Sequence, residues 1–119
     1  MDGSQKDPGL WSAFYPGERA VIAFVTDHDH VLLIHKKRGL GHGKVNGPGG
    51  RLEDGESPYE AAVRETREEV GLIISDLREA ALLQFAFTNG YLLEVTVFVT
   101  EKYGGSLVET DEARPFWTR

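Results

Sequence analysis

The segment "RETREEVG", residues 64–71, sets Glu65, Glu68 and Glu69 within five positions of one another. On a helix of about 3.6 residues per turn these carboxylates fall within roughly 100° of arc, with Glu65 and Glu69 stacked one above the other. Like charges at that spacing repel by a few tenths of a kcal/mol per pair, and nothing local favours the arrangement. A bound cation does. Clustered carboxylates are hard oxygen donors, suited to Mg²⁺ or Mn²⁺ and poorly suited to zinc, and a carbonyl such as that of Gly50 in a nearby loop extends the set. A metal held there can neutralise charge on a phosphate and lower the pKa of a bound water.

The helix that positions these groups is well signed. Ser57, Pro58, Tyr59 and Glu60 form an S-x-x-E capping box with proline at the first helical position, and Gly71 supplies the stop. Tyr59, Ala62, Thr66 and Val70 share one face and are expected to pack on a sheet, with Glu65, Glu68 and Glu69 pointing elsewhere. In front of it, "GKVNGPGGRLEDGES" (43–57) is a glycine-rich loop that can bring backbone groups close to a phosphate or an ion.

Around this unit the sequence reads as strands. "AVIAFVT" and "HVLLIHK" are apolar runs separated by "DHD", whose His28 and His30 read as a solvated hairpin rather than a metal site. "ALLQFAF" and "YLLEVTVFVT" flank "TNG", a hairpin signal because both residues of Asn-Gly accept positive φ. "YGG" at 103–105 reads as a further turn. The elements define a mixed α/β or α+β domain.

At 119 residues the chain is long enough for one core and too short for two. Its 13 Lys plus Arg against 19 Asp plus Glu, a net charge of −6, argue against a sequence-independent nucleic-acid surface. With no cysteine there is neither a disulfide framework nor a thiolate metal site. No stretch has the apolar length of a signal peptide core or a membrane span, and the expected location is the cytoplasm. Residues 1–17 are polar and rich in Gly and Pro, the composition of a flexible N-terminal arm preceding a domain at 18–119.

Gly50, Glu56, Arg64, Glu65, Glu68, Glu69 and Gly71, with Thr66 and Leu72 at the bulky positions, satisfy G-x5-E-x7-R-E-U-x-E-E-x-G-U. This resembles the Nudix box. "KKRGLGHGKVNGPGG" and "TDEARPFW" make the chain from about Arg19 to Trp117 similar to MutT-type Nudix hydrolases, especially those acting on oxidised purine nucleoside triphosphates. The resemblance implies an α/β/α sandwich around a mixed β-sheet. It implies Mg²⁺-dependent hydrolysis, with Mn²⁺ as a substitute, of a nucleoside triphosphate such as 8-oxo-dGTP to the monophosphate and pyrophosphate. The partner is then a nucleotide, with no nucleic acid polymer and no membrane. Another nucleoside diphosphate-linked substrate, a dinucleoside polyphosphate or an ADP-sugar, is the alternative within the family, and a catalytically silent nucleotide-binding module is the alternative outside catalysis.

By the same resemblance Glu65 and Glu69 are principal metal ligands, and Glu68 completes the cluster or takes a proton from water. Glu112, in "ETDEARP", approaches the metal as ligand or general base. Glu56 and Arg64 pair to orient loop and helix. Lys36, Lys37 and Arg38 screen phosphates, and Asn46 offers a donor and an acceptor to a purine edge. Members of the family continue beyond "PFWTR" through a further helix, absent from this chain. A natural short form, truncation after Arg119 and a homodimer are all compatible with that end. One helix covers one sheet face, so a partner chain or the arm residues Leu10, Trp11, Phe14 and Tyr15 are expected over the other.

Overall fold

A computed structural model describes residues 17–38 and 43–119. The chain runs through strands β1 (Glu18–Asp27), β2 (His30–Lys36), β3 (Val45–Asn46) and β4 (Gly49–Arg51) to helix α1 (Pro58–Val70). It continues through β5 (Leu72–Ser75), β6 (Arg78–Ala86), β7 (Leu92–Thr100), β8 (Lys102–Gly105) and β9 (Ala113–Thr118).

β1 is the hub because it is long enough to take different neighbours along its length. Its body runs parallel to β7, from Glu18 opposite Leu93 to Val25 opposite Thr100, and its other edge takes β4 antiparallel at Ala20, Val21 and Ile22. Its end folds back on β2 through a turn at His28, which adopts a φ of 56°. β2 then pairs with β9 from Val31 opposite Thr118 to Lys36 opposite Ala113, and with β3 at Ile34 and His35. β6 flanks β7 at the far edge, completing a seven-stranded mixed sheet, and β5 pairs with β8 in a separate antiparallel pair.

Alternation along β1 divides the apolar residues between the two sheet faces. Val21, Ala23 and Val25 join Leu32, Ile34, Phe98 and the helix residues Ala61, Ala62 and Val70 in the main core. Ala20 joins Leu93, Val95 and Val97 in a smaller group on the opposite face, with Ile22, Phe24, Ala81 and Tyr91 partly buried beside it. Among the described residues one helix covers one face, and no helix is long and apolar enough to cross a membrane.

Three local expectations are corrected. The inward face of α1 contains Glu69, fully buried with Thr66 and Val70, whereas Tyr59 is exposed. "YGG" is no turn: Tyr103, Gly104 and Gly105 lie in β8, where they pair with Ile74, Ile73 and Leu72. A Cβ at Gly105 would fall 2.9 Å from the carbonyl oxygen of Gly71, so this glycine permits close backbone approach. The β6–β7 hairpin exists, but only Gly90 of Asn-Gly takes positive φ, at 88°. Phe87 pairs with Tyr91, and the Gly90 N–H donates to the Phe87 carbonyl. That is a three-residue loop closing on a left-handed glycine. Of the expected N-terminal arm only Gly17 is described, and its N–H donates to the Leu92 carbonyl at 2.9 Å. Leu10, Trp11, Phe14 and Tyr15 lie outside the described residues.

Candidate active site

Local chemistry holds the helix that carries the site. The Glu60 N–H donates to Ser57 Oγ at 3.1 Å and the Ser57 N–H to Glu60 Oε1 at 2.9 Å, so each residue satisfies an N-terminal amide of the other. Gly71 ends the helix at a φ of 83°, and its N–H donates to the Arg67 carbonyl.

Arg64 ties this helix to the glycine-rich loop. Its Nε and Nη2 donate to the two carboxylate oxygens of Glu56 at 2.7 and 2.9 Å, and Nη2 also reaches the carbonyl of Arg51. Nη1 lies 3.1 Å from both Glu65 and Glu68, so one guanidinium neutralises much of the repulsion expected along "REE". The paired guanidinium holds the Glu56 carboxyl below the usual carboxylate range.

Beyond Arg64 the carboxylates diverge. Glu68 is half exposed and faces Arg64. Glu69 is 1 % exposed; its Oε1 accepts from the Gly49 N–H at 3.0 Å and its Oε2 from Lys36 Nζ at 2.6 Å. Glu65, Glu69 and Glu112 converge, each presenting an oxygen within 4.8 Å of the others. Glu112 arrives from the segment between β8 and β9. There the Glu112 N–H donates to Thr110 Oγ1, and that hydroxyl donates to the Glu69 carbonyl at 2.7 Å. The Lys37 N–H in turn donates to the Glu112 carbonyl.

Burial, and next the charge of Glu69, push the Glu65 carboxyl up to about 7, against the opposing pull of Arg64. Burial raises that of Glu69 too, opposed by Lys36 and by the Gly49 N–H. A cation placed among the three groups relieves both effects. Three hard oxygen donors, two of them with raised proton affinity, fit a divalent ion of the Mg²⁺ type. Gly50 lies directly against them: a Cβ there would be 2.5 Å from Glu65 Oε2.

The remaining cations near the site already have partners. Lys37 Nζ donates to Glu109 at 2.5 Å and to the Thr110 carbonyl, and Arg38 lies 3.9 Å from Glu112. Lys36 and Gly50 border two cavities. One, of about 310 Å³, holds Glu65, Glu69 and Glu112; the other, of about 150 Å³, is walled by Ala20, Ile22, Val45 and Val95 with Asn46 at its edge. Asn46 is exposed, and its Oδ1 accepts from the Gly47 N–H at 2.8 Å. A further concavity of about 670 Å³ over Tyr59, Val63 and Arg67 contains none of the converging carboxylates. Thr110 and the Lys36–Glu69 pair have no local sequence signal, because both depend on strands far away along the chain.

A mixed sheet crossed, among the described residues, by one capped helix sets its glutamates against a glycine-rich strand and a distant acidic loop, a candidate metal site. The chain belongs to the NUDIX domain family, whose pattern matches residues 16–117. It is 40% identical over 97 residues to an oxidized purine nucleoside triphosphate hydrolase of Danio rerio, and 36% identical to that of Mus musculus. Each alignment covers 81% of this chain and 62% of the relative, so the chain spans less than two thirds of these relatives' length. A MutT NUDIX hydrolase from Burkholderia pseudomallei has the same fold, with a TM-score of 0.75 at 23% identity over 87% of this chain and 83% of that one. The mixed sheet and its one described helix thus match the Nudix α/β/α sandwich fold.

Proposed function

We propose that this protein hydrolyses nucleoside triphosphates, with oxidised purine nucleotides such as 8-oxo-dGTP preferred, to the monophosphate and pyrophosphate. The carrying observation is the convergence of Glu65, Glu69 and Glu112 beside a small apolar cavity edged by Asn46. The names of the two curated relatives support the choice of substrate.

In this reading the three carboxylates, with the Gly50 carbonyl, hold Mg²⁺. The bound ion supplies charge neutralisation at the phosphates and a water of lowered pKa. Glu112, the most exposed of the three, takes the proton that the attacking water releases, while Glu68 stays paired with Arg64 at the surface. Water adds to phosphorus as the bridging α–β P–O bond breaks, and the electron pair leaves on pyrophosphate. Little covalent work is asked of the protein, so positioning and charge dominate the rate. Lys36 and Arg38 border the carboxylate cavity and face the phosphate chain, whereas Lys37 is tied to Glu109 and the Thr110 carbonyl. Asn46 offers its amide to the base edge, and Ile22, Val45 and Val95 pack on the ring.

The test is a Mg²⁺-dependent hydrolysis screen over normal and oxidised nucleoside triphosphates, dinucleoside polyphosphates and ADP-ribose, with phosphate and pyrophosphate resolved as products. The expected result is pyrophosphate release, fastest with an oxidised purine. Asn46→Ala should reduce purine over pyrimidine preference more than the best rate, since a lost amide contact is worth about 1–3 kcal/mol. Faster turnover of ADP-ribose than of every triphosphate would overturn the substrate assignment.

A further inference from the structure

Lys36 stands where a metal ion would compete with it. Its Nζ is 2.6 Å from Glu69 Oε2 and 3.0 Å from the Gly49 carbonyl, and its side chain is 9 % exposed against 1 % for that of Glu69. The same carboxylate is one of the three that converge. An ammonium and a divalent ion on one buried carboxylate repel each other strongly in so dry a setting. Lys36 cannot withdraw by moving its strand. Its N–H donates to the Lys44 carbonyl and its carbonyl accepts from Gly43, which pins the backbone on both sides. Only the four-carbon side chain is free to swing, and it also walls the cavity that Asn46 edges.

We propose that Lys36 is a resident cation of the carboxylate cluster: its ammonium neutralises Glu69 in the metal-free protein and competes with a divalent ion for that carboxylate. This rests on the metal reading of Glu65, Glu69 and Glu112 given above. Two consequences follow. Ion binding to the free protein is weak, because it must displace an internal charge. The phosphate chain of a nucleotide whose base sits in the neighbouring cavity, by receiving the released ammonium, strengthens ion binding, and the ion strengthens nucleotide binding by the same factor.

Manganese affinity, measured by electron paramagnetic resonance titration without nucleotide at pH 8, separates this role from a structural one. Lys36→Gln keeps N–H donors for Glu69 and Gly49 but removes the charge, and should bind Mn²⁺ about tenfold more tightly than the parent protein. Lys36→Arg keeps the charge and grips a carboxylate with two N–H groups, and should bind Mn²⁺ several-fold more weakly. A merely structural lysine would weaken binding in both variants. Circular dichroism checks the fold of each, and Lys36→Met, which removes the charge from a side chain of similar length and should likewise bind Mn²⁺ more tightly, carries the test if the glutamine variant does not fold. Equal or weaker Mn²⁺ binding by folded Lys36→Gln, or unchanged binding by Lys36→Arg, overturns the resident-cation role and leaves the hydrolytic reading standing. Absence of Mn²⁺ binding in the parent protein and both variants overturns the metal reading itself.

Discussion

Gly50→Ala isolates the geometry of the carboxylate group from the stability of the fold. Gly50 sits in β4 opposite Val21, without a positive φ, so alanine is sterically allowed by the backbone. The new Cβ would lie 2.5 Å from Glu65 Oε2, 2.6 Å from Cδ and 2.9 Å from Oε1, where ordinary contact starts near 3.4 Å. The carboxylate must therefore retreat by about 0.9 Å. It lies at the end of a flexible side chain, so the retreat is cheap: removing a glycine from a strand offsets about 0.5–1 kcal/mol, and we expect net stability to stay within about 1 kcal/mol of the parent. Function responds differently. Displacing one of three oxygens that lie within 4.8 Å of each other opens the metal site, and a misplacement near 1 Å at a reacting centre costs on the order of 100-fold in rate. Urea unfolding, Mn²⁺ titration and steady-state hydrolysis on the same preparation give the answer. Parent-like Mn²⁺ affinity and turnover would refute the placement of Glu65, and a loss of several kcal/mol in stability would show that Gly50 is held by packing instead.

Thr66 Oγ1 is buried with no hydrogen-bond partner, so Thr66→Val should raise stability by about 1–2 kcal/mol with activity unchanged, as read by denaturant midpoint. Glu56→Gln breaks the two-pronged contact with Arg64 and should lower stability by about 2 kcal/mol, while Mn²⁺ affinity falls less than in Gly50→Ala. Glu65 holds its proton more tightly in the folded protein, up to about 7 against an ordinary 4.5. Its contribution to metal-free stability is thus complete below the ordinary value and lost as pH rises through about 7, and the same proton must leave for an ion to bind. Melting curves without metal should therefore show a fall between pH 5 and 7 that Glu65→Gln reduces, with buried Glu69 contributing in the same direction, and Mn²⁺ affinity should drop by up to about tenfold per pH unit below 7.

The capping and spacing of the helix, encoded within a few turns of chain, were legible in the sequence. The ends of α1 depend on Ser57, Pro58, Glu60 and Gly71, all in or beside the helix, and backbone capping follows from residue type and spacing alone. The stacking of Glu65 under Glu69 follows from helical pitch, and the Glu56–Arg64 contact spans eight residues of one loop and helix. The strands flanking "DHD" and "TNG" were visible because their apolar runs are bounded by polar turns.

Other features depend on register between distant strands. Lys36 meets Glu69 across 33 positions only because β2 runs beside β9 and β4 beneath the helix. Thr110 reaches the end of α1 across 41 positions and steadies the loop that carries Glu112. β8 was misread because its glycines serve close pairing with β5 rather than a turn, a distinction that composition does not carry. Helical periodicity placed Glu65, Glu68 and Glu69 on one polar arc. Packing against the sheet buried Glu69, left Glu68 with Arg64 at the surface and brought Glu112 in its stead. Sequence spacing sets angles about a helix axis; which of those angles faces water is decided by where the rest of the chain is packed.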